Sequence, residues 1–208
     1  MILLWPILAG FLTGFFRAKF QGRSYPPLSI HKGWLLVGGI LPQVLAFQVP
    51  FLRDSIPGWL AAAALVSSQG LLLLFVIYNL HLPGFRIIGA GLALNLFVIL
   101  LNGGLMPVSP ETLSELYQST TPSSWPLGAR VLGSKDIILN QASTRLWPLS
   151  DWILLPAWFP GRAALSAGDM FIAFGAFWCL WSHGEIKENP LEADNSSEVQ
   201  PELKGKSI

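Results

Sequence analysis

Five long apolar runs punctuate the chain, at about residues 1–16, 33–51, 59–80, 85–102 and 166–183. A helix needs roughly 20 apolar residues to cross a bilayer, and these runs come close to or reach that length. The expected fold is therefore an all-α integral membrane protein with five transmembrane helices. The breaks between the runs carry turn chemistry: Pro26-Pro27, then Arg53-Asp54-Ser55-Ile56-Pro57-Gly58, then His81-Leu82-Pro83-Gly84. The first run could be mistaken for a secretory signal. Its basic residues Arg17, Lys19 and Arg23 follow the apolar stretch instead of preceding it, and no small-x-small site follows, so it reads as a first membrane helix.

Between the fourth and fifth runs lies a long mixed segment, 103–165. A segment of that length carries its own structure or serves as a tether. Ser109-Pro110-Glu111 supplies a cap, a proline for the first helical position and an acid at the positive dipole end, which predicts a short helix over 112–118. Residues 120–128 read as loop and 131–140 as a place for a short strand. Residues 146–161 hold three tryptophans and three prolines. That stretch is too broken to span, and its tryptophans suit the headgroup level, where it is expected to fold back over the outer mouth of the bundle. The tail, 184–208, is polar, acidic and poor in aromatics, and is expected to be disordered.

The positive residues set the orientation. Arg17, Lys19, Arg23, Lys32 and Arg86 fall in loops on one side, whereas Arg53 on the other side is offset by Asp54. Positive-inside then places the N-terminus outside, the tail in the cytoplasm and segment 103–165 on the outer face of a bacterial inner membrane.

Composition agrees and narrows the chemistry. Of 208 residues, 52% are hydrophobic and 12% charged, against roughly 25% charged in soluble domains. A net charge of +1 gives no field for nucleic acid. The single cysteine, Cys179, excludes an internal disulfide or a thiolate metal cluster. His31, His81 and His183 fall at cytoplasmic helix ends without close ligand spacing. No nucleophile elbow, phosphate loop or dinucleotide fingerprint occurs, so no cofactor or metal is expected. The partners expected are the lipid bilayer and other membrane proteins.

Polar residues inside the runs are few and share faces. Gly91, Asn95, Val98 and Asn102 recur at helical spacing in the fourth run, and Asp169 is the only acidic residue inside any run. Asn102 ends the fourth helix, Asp169 begins the fifth and Gln48 ends the second, all at the outer level. Asp151 is near enough in sequence to fold back to them. The candidate site is Asn102, Asp151 and Asp169, supported by Gln48 and Ser166. Plainer roles stand beside this one. Ser166-x-x-Asp169 matches a capping box, Asn102-Gly103-Gly104 a helix ending, and Ser150-Asp151 a turn. Asn95 and Gln69 read as interhelical hydrogen bonders.

Two resemblances follow from these residues. Asn102-Gly103-Gly104-Leu105-Met106-Pro107, Thr144-Arg145-Leu146, Leu149-Ser150-Asp151 and Ser166-Ala167-Gly168-Asp169 resemble, in order and spacing, a family of bacterial multi-pass membrane proteins of unknown function. More loosely, Asp151 and Asp169 are similar in arrangement to the acids of lipoprotein signal peptidases, with Ser166 standing where those enzymes have Asn. That likeness implies an intramembrane aspartyl hydrolase acting on a membrane-embedded peptide or lipid-linked substrate. Asp169 would be the acid, Asp151 the base, and Asn102 a water or oxyanion ligand. The first reading is a non-enzymatic structural, accessory or partner-binding membrane protein with a polar cluster at its outer face. The hydrolase is the alternative.

Overall fold

The computed structural model describes residues 3–118, 121–156, 158–159 and 161–183, so the tail expected to be disordered lies outside the described residues. The chain is mostly helical. In order it forms α1 (Leu4–Phe20), α2 (Gly33–Gln43), α3 (Pro50–Ser55), α4 (Gly58–Tyr78), α5 (Phe85–Leu101), β1 (Met106–Val108), α6 (Pro110–Tyr117), β2 (Asp136–Ile138), β3 (Ile153–Leu154), β4 (Ala164–Leu165) and α7 (Ala167–Ser182).

The five long runs are helical, but their lengths correct the expectation of five full spans. Among the described residues, only α4 is both long and apolar enough to cross a membrane by length and composition. At 1.5 Å per residue its 21 residues reach about 32 Å. The 17 residues of α5 and the 16 of α7 reach only about 26 and 24 Å. Both stop where polar residues, Asn102 and His183, take over as caps. The first helix runs past residue 16 and carries Arg17 and Lys19 in its last turn. Arg17 finds a partner there, its guanidinium lying 4.5 Å from the centre of the Trp181 ring. The second run breaks early. Pro42 removes an N–H from the ladder, and the chain continues as a π turn, Val44–Gln48. Extended Val49 then restarts it as α3, with Pro50 in the first turn. Arg53, Asp54 and Ser55, expected in a turn, are therefore helical.

The long helices lie side by side in the order α2, α4, α5, α7, α1. Contacts at glycines and small polar residues fix their directions. Gly39 meets Leu72 and Gln43 bonds Ser68, so α2 and α4 are antiparallel. Gly89 faces Val76 and Gly104 faces Ala62, so α4 and α5 are antiparallel. Gly84 lies on Gly175, and Gly91 on Gly168, so α5 and α7 are antiparallel as well. Gly10 lies on Phe177 and Gly14 on Leu180, so α1 and α7 run parallel. Taken along the chain, α1, α2, α4, α5 and α7 thus alternate in direction.

The exterior of this row is apolar. Trp34, Val37, Trp59, Phe97, Leu100 and Phe174 are all exposed, and only 33% of the apolar window of α4 is buried. The interior holds Ser68, Asn79 and Asn95 among buried apolar residues such as Leu35, Leu65, Phe75 and Ile99. Of the expected interhelical bonders, Asn95 acts as one. Gln69 does not, since its buried Oε1 has no partner, and Ser68 takes that role with Gln43 and the Gly39 carbonyl.

Loops at the two ends are held the same way. Asn79 caps α4 and Asn102 caps α5. The Asn79 amide donates to the carbonyls of Phe75 and His31 (both 2.8 Å) and accepts from the His31 N–H at 2.7 Å. The Asn102 amide donates to Val98 and Arg145 (2.8 and 2.9 Å) and accepts from the Arg145 N–H at 2.9 Å. The three histidines stay at their helix ends: His31 and His81 rings lie 4.7 Å apart, and His183 reaches the Pro26 carbonyl.

Glycine contacts generate a direct test. A Cβ on Gly175 would lie 2.7 Å from Ile88 Cγ1 and 2.8 Å from the Gly84 carbonyl. Gly175→Val is expected to force α5 and α7 apart at a cost of about 1–3 kcal/mol. A lowered thermal unfolding midpoint in detergent checks this, and an unchanged midpoint refutes the close contact.

Candidate functional site

Where α5 ends and α7 begins, the chain between them builds a small cap. Gly103 and Gly104 both take positive φ (84° and 89°), which turns the chain out of α5 and into β1. Leu105 and Met106 then drop into the core formed by Ala46, Phe47, Ala61, Leu65, Val98 and Ile99. The β1 strand pairs in parallel with β2, Met106 opposite Asp136. On its other edge Val108 bridges Asp151, whose N–H donates to the Pro107 carbonyl at 3.1 Å. The strand expected within 131–140 is β2, and the expected helix is α6, capped by Ser109 through the Thr112 N–H. Val108, Leu113, Val131 and Ile138 form a small core of their own.

This pairing gathers charges. Lys135 Nζ lies 3.3 Å from Asp151 Oδ2 and 3.3 Å from Asp169 Oδ2. The two acids singled out in the sequence therefore share one ammonium. The Asp151 side chain is 2% exposed, Asp169 14% and Lys135 24%. Asp169 accepts further bonds from Asn95 Nδ2 at 2.8 Å and from the Ser166 N–H at 3.2 Å. The Ser166 hydroxyl accepts from the Asp169 N–H and donates to Asn95 Oδ1. The capping box is thus complete, and Asn95 ties it to α5. Gly168 must be glycine here, because a Cβ would overlap Asn95 Oδ1 and the Gly91 carbonyl.

Asp136 is the member the sequence reading missed. Its Oδ2 accepts from the Ser134 hydroxyl at 2.5 Å, while its Oδ1 and Asp151 Oδ1 are both buried without a hydrogen-bond partner. Lys135 was missed too. The only local signal is a Lys-Asp pair inside an otherwise apolar segment, and its meaning depends on the long-range β1–β2 register. Burial pushes the Asp151 carboxyl well above the ordinary carboxylate range, against the pull of Lys135 and with the nearby Asp136 and Asp169 charges. Burial raises Asp136 as well. For Lys135, burial works against the charge, but the Asp151, Asp169 and Asp136 carboxylates outweigh it and hold the lysine protonated.

The roles foreseen for these residues change accordingly. Asp169 is an acceptor for three donors, a poor candidate for the acid, whereas burial favours the protonated form of Asp151. Asn102 spends both amide hydrogens on the Val98 and Arg145 carbonyls, which leaves no donor for an oxyanion. Gln48 is exposed at the end of the π turn and bonds none of the cluster. Among the described residues, two of the clefts open on the segment between α5 and α7. One, of about 210 Å³, is lined by residues including Glu111, Gln141, Trp147 and Trp152. The other, of about 230 Å³, includes Glu115, Leu154 and Arg162. Neither is lined by Asp136, Asp151 or Asp169. Among the described residues no group of three His, Cys, Asp or Glu is placed to hold a metal ion.

A family model described as a family of unknown function, DUF5317, matches residues 27–181. An uncharacterized protein of Thermotoga maritima is 32% identical over 133 residues, covering 63% of this chain and 69% of that protein. No solved structure matches the chain. The matched region takes in every residue of the cluster.

Removing the lysine tests the site. Lys135→Met leaves Asp151 and Asp169 without their counter-charge, and breaking a buried pair from one side costs about 3–5 kcal/mol. The expected result is a large drop in thermal stability, with amide exchange rising first in β1 and β2. A midpoint within error of the wild type would show that the ammonium does not hold the cap.

Proposed function

Because the chain belongs to the family of unknown function DUF5317, whose description names no activity, we propose a function from its own geometry: a five-crossing inner-membrane protein with a latched outer cap. The N-terminus lies outside and the tail in the cytoplasm. The role is structural, accessory or partner-binding, not enzymatic. The observation that carries this reading is Lys135, placed on the outer segment and shared between Asp151 of that segment and Asp169 of α7.

The alternation of α1, α2, α4, α5 and α7 along the chain supports five crossings. So does the apolar exterior, since soluble monomers rarely expose contiguous apolar patches beyond a few hundred Å². The shorter helices fit by local thinning of the bilayer and by snorkelling of flanking residues, each a modest cost. Arg17, Lys19 and Lys32 sit at the end opposite the cap, where positive-inside expects the cytoplasm. Lipid covers the exterior, and other membrane proteins are the expected partners.

The aspartyl-hydrolase alternative, foreseen for Asp151 and Asp169, draws on one observation, that both carboxylates lie 3.3 Å from Lys135 Nζ. It ranks second because neither cleft reaches those acids, and hydrolysis needs a substrate carbonyl and water within hydrogen-bond reach of them.

Topology is the decisive test. In a Cys179→Ala background, a cysteine replacing Ser123 in the outer segment is expected to react with an impermeant thiol reagent in intact cells. Labelling only after lysis would put the cap in the cytoplasm and overturn the orientation.

A further inference from the structure

The cap cluster carries more acid than base. Lys135 faces Asp136, Asp151 and Asp169, and the other groups against it, Ser134, Asn95 and Ser166, are neutral. Fully ionised, the four would leave two uncompensated negative charges at a nearly dry site, where an unpaired charge costs several kcal/mol. The geometry shows where the missing positive charge belongs. Lys135 occupies Asp151 Oδ2 and Asp169 Oδ2, and the Asp169 carboxylate is otherwise filled by Asn95 and Ser166. Ser134 occupies Asp136 Oδ2. The atoms left over are Asp136 Oδ1 and Asp151 Oδ1, both buried and both without a donor, on carboxyls close enough to hydrogen-bond each other.

We infer that Asp136 and Asp151 form a single-proton binding site, and that the bound proton fastens the outer cap to the membrane helices. The proton bonds to one carboxyl oxygen and is donated toward the other carboxyl, giving each orphan oxygen a partner. No second acid is needed, and the cluster charge falls from two negative units to one. A metal cation is the poorer occupant. The Lys135 ammonium already sits 3.3 Å from Asp151, and like charges at that range repel strongly at low dielectric.

The consequence has a definite sign. A carboxyl whose proton is held more tightly in the folded cap than in the free chain stabilises the cap fully below the ordinary Asp value. That contribution fades as pH rises through the raised value. The cap is therefore tight in acid and loosens in alkali, opposite to the usual salt-bridged carboxylate. This inference rests on the cluster acting as a latch, and the two claims fail separately. Lys135→Met at fixed pH tests the latch, and the pH dependence of the intact cluster tests the proton.

The experiment uses the full chain in detergent micelles with carboxyl-¹³C aspartate, titrated by NMR from about pH 4 to about pH 9. Amide-exchange protection of Met106–Val108 is measured in parallel. One aspartate is expected to titrate above the ordinary range. Protection, corrected for the intrinsic pH dependence of exchange, is expected to fall by up to about tenfold per pH unit across that titration, the limit for one linked proton. In Asp136→Asn, with a neutral partner built in, the raised titration disappears and protection stays flat with pH. The proposal is overturned if every aspartate titrates in the ordinary range or if Asp136→Asn keeps the wild-type pH dependence. It is also overturned if added sodium or magnesium chloride displaces the titration at constant ionic strength. The wild-type titration decides the matter without any variant, so a poorly folded Asp136→Asn does not rescue the idea.

Discussion

One ammonium group, on Lys135, supplies the charged join between the helices and the segment packed over their ends. The cap between α5 and α7 has two- and three-residue strands, one eight-residue helix and a core of four buried apolar residues among its described residues. Sheets that small do not stand alone in water. Its attachment to the helices rests on Leu105 and Met106 in the bundle core, on Asn102 holding Arg145, and on Lys135 between Asp151 and Asp169. The apolar anchor supplies burial but little direction. The charged anchor supplies direction, because an ammonium must be met at specific oxygens once it has left bulk water.

This arrangement gives the motifs a physical meaning. Asn102-Gly103-Gly104 ends α5, turns the chain with two left-handed glycines, and places Met106 beside Asp136. Arg145 contributes its backbone to the Asn102 amide, and Leu149 packs on the bundle core. Ser150-Asp151 turns the chain so that a carboxyl enters from the far edge of β1. Ser166-Ala167-Gly168-Asp169 starts α7, presents the second carboxyl, and lets Asn95 approach where any Cβ would intrude. Each stretch looked like an ordinary cap or turn by itself. Their common purpose is apparent only in three dimensions.

The sequence therefore revealed one half of the site and concealed the other for a definite reason. Acids and amides at helix ends are legible, because membrane depth makes any polar residue conspicuous and helical spacing tells which face it occupies. Asn95, Asn102 and Asp169 were found that way, and Asp151 by its nearness in sequence to α7. Lys135 and Asp136 sit in a loop-like segment where charge is unremarkable, and only the parallel pairing of β1 with β2 brings them in. Gln48 was misplaced by an opposite error. It was placed by level alone, at the end of a second helix, but Pro42 ends that helix early and the π turn that follows leaves Gln48 exposed. The same break shortened the second helix, expected over 33–51 but ending as α2 at Gln43.

Asn79 and Asn102 indicate how such a thin bundle keeps its loops in order. Each caps a helix, each returns one N–H to the carbonyl four residues back, and each uses the rest of its amide to hold the N–H and carbonyl of one distant residue. An asparagine side chain presents a donor and an acceptor side by side, as an adjacent strand would, so a single residue can stand in for a strand edge. Asn79 fastens His31 at the basic end, and Asn102 fastens Arg145 at the cap end. Both are neutral, so neither responds to pH. Of the cap's attachments, only the one built on Asp136, Lys135, Asp151 and Asp169 can change strength with proton activity, and the charge excess is confined to that one place.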